Sequence, residues 1–327
     1  MIEKKIEMNK LVPVISLVVM LLAFTVLTGG TMLSFYNIRM LMDQTVVLMI
    51  ACCGTIFVIS LGSVDLSVGV VCGFSAVIGD LVYRMTGSTL LMLLTCVIVG
   101  AIAGMVTGFL ISKCKLPSFM CTLALLIGLR GIINYIQSIV GINYASPQLM
   151  NLQKEWIKLP LLIVIIAISW YVFGYTKFGR NCRAIGENEI VAKYVGIKVT
   201  KTKIVCYMIS GFTAALAGIF TMARLGGTST TMGTNFEMKV LIAIYVGGVL
   251  VRGGATARSY KVIIGAFVVM IIENGLKLMG YASAEINEVT QGILLMVILF
   301  LTMYFENHEG QRRKKMGGNE VDNRTEN

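Results

Sequence analysis

The chain has 327 residues, 56% of them hydrophobic and only 14% charged, with a formal net charge of +11 and a mean hydropathy of +0.81. A soluble domain carries about a quarter charged residues, so soluble globular, disordered and collagen-like classes are excluded and a polytopic membrane protein remains. At roughly 20 residues per span there is room for about ten spans, and the positive charge reads as loop lysine and arginine on the cytoplasmic side, not as a nucleic-acid interface.

In chain order, MIEKKIEMNK (1–10) precedes a charge-free run over 11–38. That run is too long for a signal peptide and has no A-x-A-like site after it, so 11–29 is expected to be the first span. Further charge-free runs cover 44–64, 85–112, 159–176 and 204–223. The run 116–129 is interrupted by Arg130 and then resumes, and the last one covers 289–305. Three runs are short: 67–79, 240–251 and 262–272. Counting them as helices predicts an all-α protein of ten spans, some short or discontinuous. With the N-terminus inside, 20 of the 28 Lys and Arg fall inside and five outside (Arg39, Arg84, Lys154, Lys158, Arg224). That bias predicts cytoplasmic termini and a multi-pass protein of the cell membrane.

The expected organisation is a cytoplasmic N-terminus (1–10), a membrane domain (11–305) and a basic cytoplasmic tail (306–327) that is either disordered or lies on anionic lipid. An external loop is expected over 141–158, with Pro147 and Trp156. The largest cytoplasmic loop is expected over 177–203.

The first candidate for chemistry is Gly62-Ser63-Val64-Asp65-Leu66-Ser67-Val68-Gly69. A carboxylate at this depth must face protein or water. Gly62 permits a break in the helix, and Asp65 is placed to cap the following helix. A plain N-cap and a discontinuous helix beside a transport path are compatible readings.

The second candidate is 178–197. Glu189, Ala192 and Val195 or Gly196 fall at helical spacing. Glu187 and Glu189 lie near the start of that short helix, where negative charge is favourable, and Gly196 would end it. Such an element is either a docking helix for a soluble partner or a solvated connector.

Glycines recur at packing intervals: Gly100, Gly104 and Gly108, Gly69 and Gly73, then Gly211–Ala215 and Ala214–Gly218. They are expected to let helices approach closely. Gly247-Gly248 and Gly253-Gly254 bracket Arg252 in an expected tight turn.

Asp80, Arg130, Lys239 and Glu273 lie within apolar runs, and the carboxylates Asp65, Asp80 and Glu273 keep an ion-coupled carrier in view. Asn134, Gln137, Asn274 and Gln291 are suited either to a hydroxylated solute or to bonds between helices. Six of the eight cysteines lie in apolar segments and none forms C-x-x-C, so they read as small hydrophobes. The single His308 sits in the tail. No P-loop, H-E-x-x-H, G-x-S-x-G or G-x-G-x-x-G motif is present, so no catalytic residue, metal or cofactor is expected on this chain.

Five strings in order carry a family resemblance. GSVDLSVG resembles the G-G-I-D-L-S-V-G signature of ribose-type sugar permeases of bacterial ABC importers. Leu116-Pro117-Ser118-Phe119 with Thr122-Leu123 and Arg130-Gly131 continues it. The likeness is densest over 176–227, and Asn274-Gly275-Leu276 and Gln291-Gly292 match later segments.

The resemblance implies a ten-helix permease subunit that pairs with a second copy or a homologue. ATP-binding subunits would dock beneath and use the ATP, and an extracytoplasmic sugar-binding protein would deliver solute. Arg180, Glu189, Ala192, Gly196 and Ile197 would fall on the coupling segment. Gly62, Asp65, Leu66, Ser67 and Gly69 would fall on the signature near the path. The chain departs from the family pattern at Val249 and Leu250, at the Gly62-Ser63 pair, and at Glu273 and Lys277. The expected solute is a monosaccharide or polyol, with a nucleoside or branched-chain amino acid as alternatives. An ion-coupled secondary transporter and a membrane scaffold are the readings outside this family.

Overall fold

A computed structural model describes residues 2–141, 147–281, 283, 285–297 and 300, which form helices joined by short turns, with no strand among them. The helices are α1 (Ile2–Leu27), α2 (Phe35–Ser60), α3 (Val68–Thr86), α4 (Thr89–Lys113), α5 (Ser118–Val140) and the single turn α6 (Pro147–Met150). They continue as α7 (Glu155–Tyr175), α8 (Lys177–Glu187), α9 (Glu189–Tyr194), α10 (Val199–Leu225), α11 (Phe236–Val246), α12 (Ser259–Leu278) and α13 (285–297).

Local chemistry sets these boundaries. Ser34 and Ser88 cap α2 and α4 by accepting from the N–H groups of Asn37 and Leu91, both at 3.4 Å. Gly87 and Gly226 end α3 and α10 in the left-handed region, at φ of 67° and 74°, where a Cβ would be strained.

Six of the described helices are long and apolar enough to cross a membrane: α2, α3, α4, α5, α7 and α10. They divide into two kinds. The apolar window of α2 is 83% buried within the protein, whereas those of α5 and α7 are each 17% buried. Leu94, Ile98 and Ile102 of α4 and Ile163, Val164 and Ile168 of α7 are all exposed. Apolar surface on this scale is stable against lipid and not against water.

The core is built by close backbone approach. α4 packs on α10 through the glycines at four-residue spacing. A Cβ on Gly100 would meet Gly211 O at 2.5 Å, one on Gly108 would meet Ile204 Cα at 2.7 Å, and one on Gly104 would overlap Tyr207 O. Gly69 and Gly73 of α3 likewise lie on the backbone of Gly233 and Met232. The glycine pattern therefore serves helix packing, as expected.

The short runs 67–79 and 262–272 are parts of longer helices. α3 extends through Asp80 because Arg84 Nε reaches the Asp80 carboxylate at 3.3 Å one turn later. α12 extends past Glu273 because Lys277 and Lys239 each pair with it at 2.8 Å. α11 does stay short, at 11 residues, or about 16 Å.

Most of the expected loop 177–203 is helical: α8 was not expected, α9 is the short helix expected at Glu189, and 199–203 open α10. Thr176 starts α8 by accepting from Gly179 N–H at 3.4 Å. Asn188 caps α9, its side-chain oxygen accepting from Ile190 and Val191 N–H at 2.9 and 3.1 Å, and Glu189 lies in the first turn, as expected. Glu187 thus closes α8 and does not open α9. Within the expected loop 141–158, α6 and the first turn of α7 are helical, and residues 142–146 lie outside the described residues. The basic tail 306–327 and the end of the last apolar run also lie outside them.

Candidate solute path and coupling face

Between α2 and α3 the backbone leaves the helix over 61–67, with Asp65, Leu66 and Ser67 buried and Gly62 exposed; open backbone at membrane depth is tolerated where it is buried in protein or lines a water-filled cavity. Asp65 holds this segment. One carboxylate oxygen accepts from Ser67 N–H at 2.9 Å and from Ser67 Oγ at 2.6 Å; the other accepts from Ser210 Oγ of α10 at 2.8 Å. Tyr207 of α10 donates its hydroxyl to Val64 O at 3.3 Å. Ser67 stands at the N-cap position of α3 but makes no side-chain cap bond; the Asp65 carboxylate satisfies the Ser67 N–H in its place, as the capping reading expects, and its other oxygen ties the turn to α10. Leu66 is buried in the core. Gly62 has φ of 72°, and a Cβ there would meet Arg252 O at 2.9 Å. Gly69 abuts the Gly233 carbonyl in the first turn of α3.

A polar cavity of about 250 Å³ opens between α2, α3, α10, α11, α12 and the segment 226–235. Arg224, Lys239, Glu273 and Lys277 line it with Gln44 and Thr231. Gln44 lies 16 residues before Ser60 on one helix, about 24 Å along its axis, so the cavity and the Asp65 turn sit at different depths. Asn274 is absent from the lining. It is buried and donates to Asn37 Oδ1 at 2.8 Å, joining α12 to α2. Asn134 is exposed on α5. Gln291 borders a narrow gap of about 20 Å³ beside Glu273. Arg130 donates to the carbonyls of Thr230 and Met232 at 3.1 and 2.9 Å and so holds the segment before α11. Sequence reading placed Lys239 and Glu273 within apolar runs, but it did not bring them together with Arg224 and Lys277.

The second region is α8, α9 and the turn 247–258. Gly186 lies against Ser60 O and Gly254 N, and the Glu187 carboxylate accepts from Ala255 N–H at 2.7 Å. Thr256 closes the turn by donating to Gly253 O at 2.8 Å and accepting from Leu250 N–H at 3.2 Å. Gly248, Gly253 and Gly254 all have positive φ, so the two glycine pairs do form the expected tight turn. Through Gly62 and Arg252, this turn also touches the Asp65 segment.

On α9, Glu189 pairs with Lys203 at 2.7 Å and Lys193 at 3.3 Å. The Lys203 ammonium holds its carboxyl below the ordinary 4.5, outweighing the upward push of partial burial. Gly196 has φ of 86° and no atom near its missing Cβ. Arg180 is exposed and donates to Tyr175 O at 3.0 Å. Ile197 is half-buried, and Ala192 is buried against the body of the protein. The outward face belongs to Ile190, Val191, Tyr194 and Val195, exposed by 66, 55, 88 and 69%, of which the sequence pattern had marked only Val195. Their i, i+1, i+4, i+5 spacing in an otherwise charged segment was the available signal.

Residues 37–300 match the family described as "Branched-chain amino acid transport system / permease component". Among curated proteins, the chain is similar to the ribose import permease protein RbsC of Escherichia coli (strain K12). The two are 29% identical over 272 residues, covering 80% of this chain and 84% of that one. RbsC of Bacillus subtilis (strain 168) is 32% identical over 303 residues, covering 90% of this chain and 92% of its own. The xylose transport system permease protein XylH of Haemophilus influenzae is 27% identical over 362 residues, covering 90% and 96%. No solved structure matches the chain.

Proposed function

The chain belongs to the branched-chain amino acid transport system / permease component family, among its ribose-type ABC sugar permeases and hence as a multi-pass protein of the cell membrane, and we propose that it is the membrane subunit of an importer for a monosaccharide or related polyol. Ten membrane-embedded helices, α1–α5, α7 and α10–α13, form the conduit, with both termini cytoplasmic. Twenty basic residues against five support that orientation. Solute released by an extracytoplasmic binding protein enters the polar cavity, whose charged and hydroxyl groups replace its hydration.

Two copies of this chain, or this chain and a homologue, enclose the path. ATP-binding subunits dock on α8 and α9 and drive alternating access. A partner shifts such an equilibrium only through contacts that differ between the two states. The contact from α8 to the 247–258 turn, and onward to the Asp65 segment, supplies an element for that difference to act on. The sugar reading is favoured over the amino-acid one by relatives named for ribose, xylose, fructose and arabinose over most of this chain.

The observation that carries the proposal is the solvent-facing apolar quartet on α9, a surface that a soluble subunit would cover. Affinity purification of the chain from its native membrane tests it. An ATP-binding subunit should accompany the wild type and be lost from Tyr194→Glu at equal membrane level. Retention of that subunit by Tyr194→Glu, or its absence from the wild type, contradicts the assignment. Glu189→Arg, which sets a third cation beside Lys193 and Lys203, and Gly196→Pro should likewise abolish uptake while leaving the chain in the membrane.

A further inference from the structure

Two neighbouring cavities lie beside α9, apart from the polar cavity lined by Arg224, Lys239 and Glu273. The first, of about 410 Å³, is polar: Ser63, Ser112, Lys115, Ser118, Lys193 and Lys203 contribute to its wall. The second, of about 570 Å³, is a shallower groove with apolar residues Ile204 and Val205 along α10 and Lys198 and Lys201 at its rim. They share Lys193, Val199 and Thr200 and so form one continuous recess. Five lysines face it against the single carboxylate of Glu189. Both Lys193 and Lys203 already pair with Glu189; Lys115, Lys198 and Lys201 are exposed. The Ser112 hydroxyl is buried in the polar wall with no hydrogen-bond partner among the described residues, and a buried hydroxyl left unpaired is costly.

The geometry points to a binding site for an anionic phospholipid in this recess. The polar cavity takes the phosphate of the headgroup: lysines supply the charge, and Ser112, Ser118 and Thr200 supply hydroxyl donors. The apolar groove along Ile204 and Val205 takes the first part of an acyl chain, which a free phosphate would leave empty. Basic pockets between membrane helices take lipid headgroups in this way. The phosphate also competes with Glu189 for Lys193, the longer of the two ion pairs at 3.3 Å against 2.7 Å, so lipid composition acts on the segment that carries α9. The inference requires only that the chain is membrane-embedded and stands apart from the transport reading.

The test uses the purified full-length chain in nanodiscs of phosphatidylcholine mixed with phosphatidylglycerol, with retained lipid counted by native mass spectrometry. Phosphatidylglycerol should be retained preferentially, and Lys115→Gln and Lys201→Gln should each lower that preference roughly fivefold. Ser112→Leu, which fills the polar cavity, should lower it without removing a charge. Unfolding midpoints in phosphatidylcholine alone identify any variant that has simply lost its fold. Equal retention of the two lipids by the wild type, or undiminished preference in all three variants, overturns the proposal. So does a gain in unfolding midpoint from inorganic phosphate, in phosphatidylcholine discs, as large as that from phosphatidylglycerol, because that result assigns the recess to free phosphate.

Discussion

Gly186→Ala separates the coupling account from general stability. Gly186 lies where α8 meets the end of α2 and the 247–258 turn, and an added Cβ would sit 2.8 Å from Gly254 N and closer still to Ser60 O. Both neighbours are backbone, so α8 must move and not a side chain. Overpacking of this kind costs about 1–3 kcal/mol. A shift of about 1 Å also stretches the 2.7 Å bond from Ala255 N–H to Glu187 beyond hydrogen-bond range. That bond is exposed, so its loss adds at most about 1 kcal/mol. The docked arrangement of α8 is therefore weakened by about 2 kcal/mol or more, and initial uptake should fall about thirtyfold if coupling requires it. The assay is uptake of radiolabelled sugar by intact cells, normalised to the chain in the membrane fraction. Gly128→Ala and Gly131→Ala, where a Cβ meets nothing within 4 Å, should transport normally. Normal uptake by Gly186→Ala at normal membrane level refutes the reasoning.

Ser210→Ala removes the partner of one Asp65 oxygen and leaves a buried acceptor unpaired, a cost of about 1–3 kcal/mol; the unfolding midpoint in nanodiscs should drop, and an unchanged midpoint would show that the turn is held by other means. Gly104→Leu places a branched side chain in the backbone of α10 at Tyr207 and should cut the amount of folded chain in the membrane, read by detergent-resistant gel filtration, whereas Gly128→Leu should not. Glu189 titrates below the ordinary 4.5 because of Lys203, so its contribution to α9 is fully present above that value and is lost only as pH falls through the lower, folded-state one. Amide exchange in α9, after correction for the intrinsic rate, should thus be flat between about pH 5 and 8 and quicken below; quickening already near neutrality would contradict the ion-pair account.

Hydrophobic runs marked most helices correctly because membrane helices carry their signal in composition along a single segment. The glycine ladder of Gly100, Gly104 and Gly108 was legible for the same reason: its spacing is local, and small residues have few other uses at a helix face. α8 was hidden. Its sequence is charged, yet Gly179, Cys182 and Ile185 recur every three residues and are all buried, a helical stripe that the charge count masks. The local role of Asp65, accepting an N–H at the start of α3, was legible, but its second tie was not, because Ser210 lies 145 residues away, beyond any local rule. The cavity was illegible on the same ground, since α2, α10, α11 and α12 each supply one or two of its polar residues. Ala192 and Tyr194 show the remaining difficulty. Helical spacing located α9, but which of its faces meets the protein depends on where α8 and α10 hold it.

The central claim is that this conduit has no energy source of its own. Reconstitution of the purified chain in liposomes, alone and then with its ATP-binding subunits and binding protein, tests it most directly. The account predicts no solute accumulation by the chain alone under a proton or sodium gradient, and ATP-dependent accumulation by the complete assembly. Accumulation driven by an ion gradient with the chain alone would contradict it.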